Sequence, residues 1–162
     1  MKFLSMALVG LLTLSITACE KPEETKSKVN PDNELVNETD YSVCHISPAP
    51  HSIEGTWYMT QSQGPFRFVT TFQIANGAVQ LTNDCVMNDM TLRAQVSAPA
   101  SYDHMTFQPM NAAYDVQNIE NPTFKMSCEA RLSTTKMNYT FDGNCLVFYQ
   151  QGKSDRLTLA PR

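Results

Sequence analysis

Much is missing from this chain of 162 residues, and each absence closes off a class of function. There is no cluster of Lys and Arg, and a formal net charge of −4 offers a nucleic-acid backbone nothing to hold. No apolar run reaches the roughly 20 residues that span a bilayer. None of the five cysteines forms a Cys-x-x-Cys pair, which excludes a zinc knuckle and a thioredoxin-type redox site. The three histidines, His45, His51 and His104, are scattered, so no metal site is expected. No Ser-His-Asp set, phosphate loop or paired-carboxylate motif stands out. Without a nucleophile, base and orienter, the chain is expected to be neither an enzyme nor the holder of a cofactor.

What is present starts at the amino terminus. Lys2 precedes an apolar run from Phe3 to Leu14, the pattern of a secretory signal. The run ends in Ile16-Thr17-Ala18-Cys19, and small residues before a cysteine there resemble the lipobox of bacterial lipoproteins. That resemblance implies removal of residues 1–18 and acylation of Cys19 by chains of the palmitate kind. An ordinary cleaved signal would instead leave Cys19 as an unpaired thiol in an oxidising compartment. At about 0.8 kcal/mol per buried methylene, several acyl chains make a stable anchor. Glu20 follows the cysteine instead of Asp, which by resemblance to enterobacterial sorting favours the outer membrane, facing the periplasm.

Residues 19–43 are polar and carry Pro22 and Pro31 with little apolar periodicity. Such a segment buries too little surface to order itself, so it reads as a disordered tether reaching roughly 30 Å. Residues 44–162 then form one small domain, enough for a single core. Its four cysteines, Cys44, Cys85, Cys128 and Cys145, predict two disulfides, with three possible connectivities.

From Ser52 onward, short alternating runs separated by turn residues predict strands and no helix. Gly55 to Gln61 is the first. Phe66, Phe68, Thr70, Phe72 and Ile74 share one face of the second, and Asn76-Gly77 suits a tight hairpin turn. Val79, Leu81 and Cys85 mark a third strand, and Met90, Leu92, Ala94 and Val96 a fourth. Met105 and Phe107 mark a weaker fifth after Pro99, while Gln108 to Pro122 reads as a short strand or an irregular loop. Phe124, Met126, Cys128 and Ala130 alternate cleanly, as do Met137, Tyr139 and Phe141, then Leu146 with Phe148, then Leu157 with Leu159. Consecutive hairpin-linked strands make a meander, and about eight of them commonly close into a barrel. The expectation is an all-β, small antiparallel meander barrel.

Gly55-x-Trp57 at the first strand and Tyr139-x-Phe141-Asp142-Gly143-x-x-Leu146 near the end, followed by Leu157-x-Leu159-x-x-Arg162, resemble the lipocalin superfamily. The likeness is to its small bacterial lipocalin-like lipoproteins and covers Ser52 to Arg162. It implies that Trp57 plugs the closed end of the barrel and that an arginine packs across its ring. Arg162 is preferred over Arg156 for that contact, worth about 0.5–2 kcal/mol. The chain is shorter than a secreted lipocalin and shows no terminal helix, so the family's ligand-pocket residues do not transfer.

Side-chain parity places Cys85 and Cys128 on inward faces and Cys145 outward, where an arm bearing Cys44 could run. The expected pairs are Cys85–Cys128 and Cys44–Cys145. Methionines such as Met87, Met90 and Met105 invite a Cu(I) site, but Met59, Met105, Met126 and Met137 fit inward strand positions better. Tyr102, Tyr114 and Tyr149 read as strand surface, with polar tips at a barrel mouth as the alternative.

Two functions compete. One is a non-enzymatic binding barrel for a small apolar or amphipathic ligand such as a fatty acid, lined by Phe68, Phe72, Leu92, Met105, Phe107, Met126 and Phe141. The other is an envelope protein–protein module, a hydrolase inhibitor or accessory subunit, acting through Val86 to Asp89 and Gln108 to Pro122. Both keep the membrane as partner through the acyl chains and exclude nucleic acid. Mass analysis of the mature amino terminus is expected to find Cys19 first and acylated, and Cys19→Ser is expected to leave the membrane fraction. An unmodified terminus beginning elsewhere would refute the anchor.

Overall fold

The computed structural model describes residues 34–45, 48–120 and 125–162. The signal segment, Cys19 and the expected tether as far as residue 33 lie outside these, as does Phe124. The described residues hold eleven strands and no α-helix. They are β1 (Val36–Asn37), β2 (Gly55–Gln63), β3 (Phe66–Ala75), β4 (Ala78–Met87), β5 (Met90–Tyr102), β6 (Thr106–Pro109), β7 (Ala113–Glu120), β8 (Lys125–Leu132), β9 (Met137–Asp142), β10 (Cys145–Tyr149) and β11 (Arg156–Pro161). A 3-10 turn at Tyr41–His45 follows β1.

Eight strands close into an antiparallel barrel in the order β2, β3, β4, β5, β6, β9, β10, β11 and back to β2. Alternation drives the closure. On β5, Leu92, Ala94, Val96, Ala98 and Ala100 are buried while Thr91, Arg93, Gln95, Ser97 and Pro99 are exposed. A one-residue slip would turn that whole apolar set to water, so the register is pinned. The β3–β4 turn uses Asn76 at φ 51° and Gly77 at φ 71°, the two positive values a type I′ hairpin needs.

The barrel is taller on one side than on the other. Strands β2 to β5 run nine to thirteen residues, whereas β6, β9, β10 and β11 run four to six. The β5–β6 ladder covers only Ala100 to Tyr102, so the first part of β5 rises above the short wall. Its inner face would be wet apolar surface if left alone. Instead the meander breaks after β6: β7 and β8 form a separate hairpin, and β6 pairs with β9. Met126, Cys128, Ala130 and Leu132 of β8, at most 4% exposed, join the core that includes Leu92, Ala94, Cys85 and Met87. The Cys85–Cys128 disulfide ties this cover to β4, and Cys44–Cys145 is the second bridge. The connectivity is the one parity gave.

Aromatic side chains run through the middle of the barrel in contact with one another. Trp57 meets Phe141 at 5.9 Å between centroids, Phe141 meets Tyr139 at 5.8 Å, and Tyr139 meets Phe148 at 6.5 Å. Phe148 in turn meets Phe107 at 5.2 Å and Phe72 at 6.3 Å. Such pairs add about 0.5–1.5 kcal/mol beyond the area they bury. Side chains around an empty chamber would keep surface that water can reach, but Phe107 is 0% and Phe148 1% exposed. Phe72, Leu92 and Met126 belong to the same packed cluster, with Phe68 and Phe141 half-buried against it.

Met105 departs from its expected inward place. It lies in the turn between β5 and β6 and is 57% exposed. Asp103 sets that turn by accepting N–H bonds from Met105 and Thr106, which hold its carboxyl below the usual range. Pro99 does not end its strand either: it sits on the outer face of β5, opposite Ala78.

Urea unfolding distinguishes these positions. Phe107→Ala is expected to cost about 3–5 kcal/mol, and Met105→Ala is expected to stay within about 0.5 kcal/mol. Comparable losses from both would contradict the packing described.

Candidate functional site

The barrel wall has a seam between β2 and β11. Their ladder holds only Ala160↔Tyr58 and Pro161↔Trp57, although β2 continues to Gln63 and β11 already begins at Arg156. The reason is a competitor for the same strand edge. β1 pairs with β2 at Val36↔Ser62 and Asn37↔Gln61. Below it, Glu38 donates its N–H to the Thr60 carbonyl at 2.8 Å, and the Thr39 hydroxyl accepts from the Thr60 N–H at 2.9 Å. Ser62 donates to Glu38 at 2.7 Å, and Arg67 stands 3.8 Å from the same carboxylate. Arg156, Leu157 and Thr158 of β11 are thereby separated from β2.

The segment from residue 34 to Cys44 is thus a packed arm, a correction to the expected tether, which was to extend through Val43. Polar side chains do most of the docking, so no apolar pattern announced it. The Tyr41 hydroxyl donates to the Thr158 carbonyl at 3.0 Å and accepts from the Asn37 amide at 2.9 Å. At its lower end Cys44 is bonded to Cys145, and Asn144 donates its N–H to the Cys44 carbonyl at 2.7 Å. Gly143, at φ 57°, is required there because a Cβ would overlap that carbonyl.

Between arm and wall lies a cleft of about 420 Å³, within the range of ordinary ligand sites. Asn37 and Tyr41 stand on one side, Arg156, Leu157 and Thr158 on the other, and Met59 and Gln61 at the base. Cys44, His45 and Asp142 line its far end. Met59 is a core residue, so the cleft reaches from the outer surface to the barrel interior. Arg156 is exposed and has no ion pair among the described residues. The chemistry offered is one free cation, several neutral hydrogen-bonding groups and a small apolar base.

The other expected site residues fall elsewhere. Trp57 is buried near the start of β2, donating its indole N–H to the Ile53 carbonyl at 2.8 Å. Gly55, at φ 153°, has a backbone that other residues rarely adopt, and its vacant Cβ position faces the indole at 3.5 Å. Arg162 does not pack across that ring. Its N–H bonds the Thr56 carbonyl and its guanidinium donates to Thr71 at 3.1 Å. Strand parity puts Thr71 on the outer wall while Trp57 points inward, so one arginine cannot serve both. Tyr102 stands at the end of β5, accepting from the Gly77 N–H and donating to Glu54. Tyr114 is exposed on β7.

Sequence reading missed the arm, and it left β7 open between a short strand and an irregular loop. The inward positions of β7 include Asp115 and Gln117, which accept the N–H groups of Gln95 and Arg93 at 3.1 and 2.9 Å. Those bonds satisfy the bare edge of β5 and put polar residues where a strand pattern wants apolar ones. No family model matches the chain, and neither does any curated protein or solved structure.

Gly143→Ala is expected to loosen the arm without unfolding the barrel. Amide exchange at Glu38 should then accelerate at least tenfold while Phe148 and Leu146 stay protected. Unchanged exchange at Glu38 would show that the arm does not depend on this contact.

Proposed function

We propose that this chain is a non-enzymatic binding protein of the bacterial envelope, a lipocalin-like lipoprotein held at the outer membrane by acyl chains on Cys19. It works from the periplasmic side, through its outer surface and on protein partners. The observation that carries this reading is the packed interior: Phe72 and Phe107 each pack against Phe148, and Phe107 and Phe148 are at most 1% exposed. A barrel of this size either fills itself or holds one small ligand, and filling leaves the outside to do the binding. The disulfides support an exported setting, since such bonds persist where the compartment is oxidising.

The small-ligand reading keeps one specific support, the apolar base of the seam cleft at Met59 and Leu157. A fatty acid would have to enter there rather than the lumen.

A photo-crosslinking side chain placed at the exposed Asp155, next to Arg156, in intact cells tests the proposal. One dominant protein adduct from that position is expected, with no stoichiometric palmitate adduct in native mass spectrometry. A one-to-one palmitate complex without a protein adduct would replace this function by lipid carriage.

A further inference from the structure

Strand direction at the seam identifies what kind of protein surface fits it. β1 and β11 both pair antiparallel with β2, so they run parallel to each other across the cleft. Every described ladder in the molecule is antiparallel. A segment entering between them in the direction of β2 would be antiparallel to both neighbours. The backbone is oriented to receive it. Glu38 turns its N–H toward Thr60, so alternation turns the N–H and C=O of Asn37 into the cleft. The Thr158 carbonyl faces the cleft, where it accepts from Tyr41, and the Thr158 N–H points the same way. What crosses the interval now is a relay from the Asn37 amide to the Tyr41 hydroxyl and from there to Thr158, two side-chain bonds where a strand would make a ladder.

Resting on the protein-binding reading above, we infer that the seam is a receptor slot for one extended peptide segment of a partner, inserted as a strand between β1 and β11. The segment displaces the Tyr41 hydroxyl from Thr158 and takes up the exposed backbone groups, the β-augmentation mode of recognition. Parity fixes its side chains. Leu157 is on the inner face and Arg156 on the outer, so the peptide residue opposite Leu157 points toward Met59 and is apolar. Because the segment runs opposite to β11, its next residue lies opposite Arg156 and is acidic. The recognised motif is an apolar residue followed directly by Asp or Glu, in an extended stretch free of proline.

The experiment pans a phage-displayed random heptapeptide library against the full acylated chain in phospholipid nanodiscs. Chosen peptides are then mapped by amide chemical shifts, with palmitate as a parallel probe. The apolar–acidic pair should be enriched, and bound peptides should move the amides of Asn37, Arg156, Leu157 and Thr158. Arg156→Glu should weaken binding at least tenfold. Tyr41→Phe should strengthen it roughly two- to tenfold, the equivalent of the about 0.5–1.5 kcal/mol net of the one hydrogen bond it no longer breaks. A merely structural tyrosine would shift binding the other way. Peptides that move only β7–β8 or loop amides would overturn the slot while leaving the protein-binding function intact. Palmitate moving the seam amides, with no peptide enriched, would overturn both. No enrichment and no palmitate response would also overturn the slot.

Discussion

One edge of one strand decides the architecture around the seam. Each backbone group on the outer edge of β2 can satisfy only one neighbour, and two segments claim it: β11 beside Trp57 and Tyr58, the arm beside Thr60 to Ser62. Leaving any of these groups unpaired in a half-buried wall would cost about 1–3 kcal/mol each. The division therefore holds both segments, and the interval between them is its geometric remainder. The Cys44–Cys145 bridge, closing a sequence separation of 101 residues, fixes the arm to the wall it would otherwise leave.

The same accounting explains the hairpin. A barrel with one tall side exposes both an apolar inner face and a bare strand edge, and β7–β8 answers the two problems with its two strands. β8 supplies Met126, Cys128, Ala130 and Leu132 to the face, while β7 supplies Asp115 and Gln117 to the edge. The Asn83 amide adds a bond to the Glu129 carbonyl from the inward face of β4. Between the hairpin and the chain of rings below it, the interior is spent on its own cohesion.

Apolar alternation made most of the wall legible in advance. Phe72 and Ile74, Leu81 and Cys85, Leu92 to Val96, and Leu146 with Phe148 each declared a face, and the turn at Asn76-Gly77 declared its hairpin. Parity carried through to both disulfides because a cysteine on the wrong face cannot reach its partner. What stayed hidden was built from polar contacts. Asn37, Thr39 and Tyr41 dock the arm through hydroxyl and amide groups, in a stretch whose composition resembles a linker. Gln117 and Asp115 broke the period of β7 for the same reason. Arg162 was misplaced because a resemblance names a partner residue but not the face on which it emerges, and Met105 because Asp103 turns the chain before that residue can join a strand.

Backbone amide exchange at β11 tests the open seam most directly. Leu157 and Leu159 face β10 and should exchange slowly, whereas Thr158, between them, should exchange at least a hundredfold faster because its N–H looks into the cleft. Equal protection at all three would mean that β11 is bonded to β2 along its whole length, and that no seam exists.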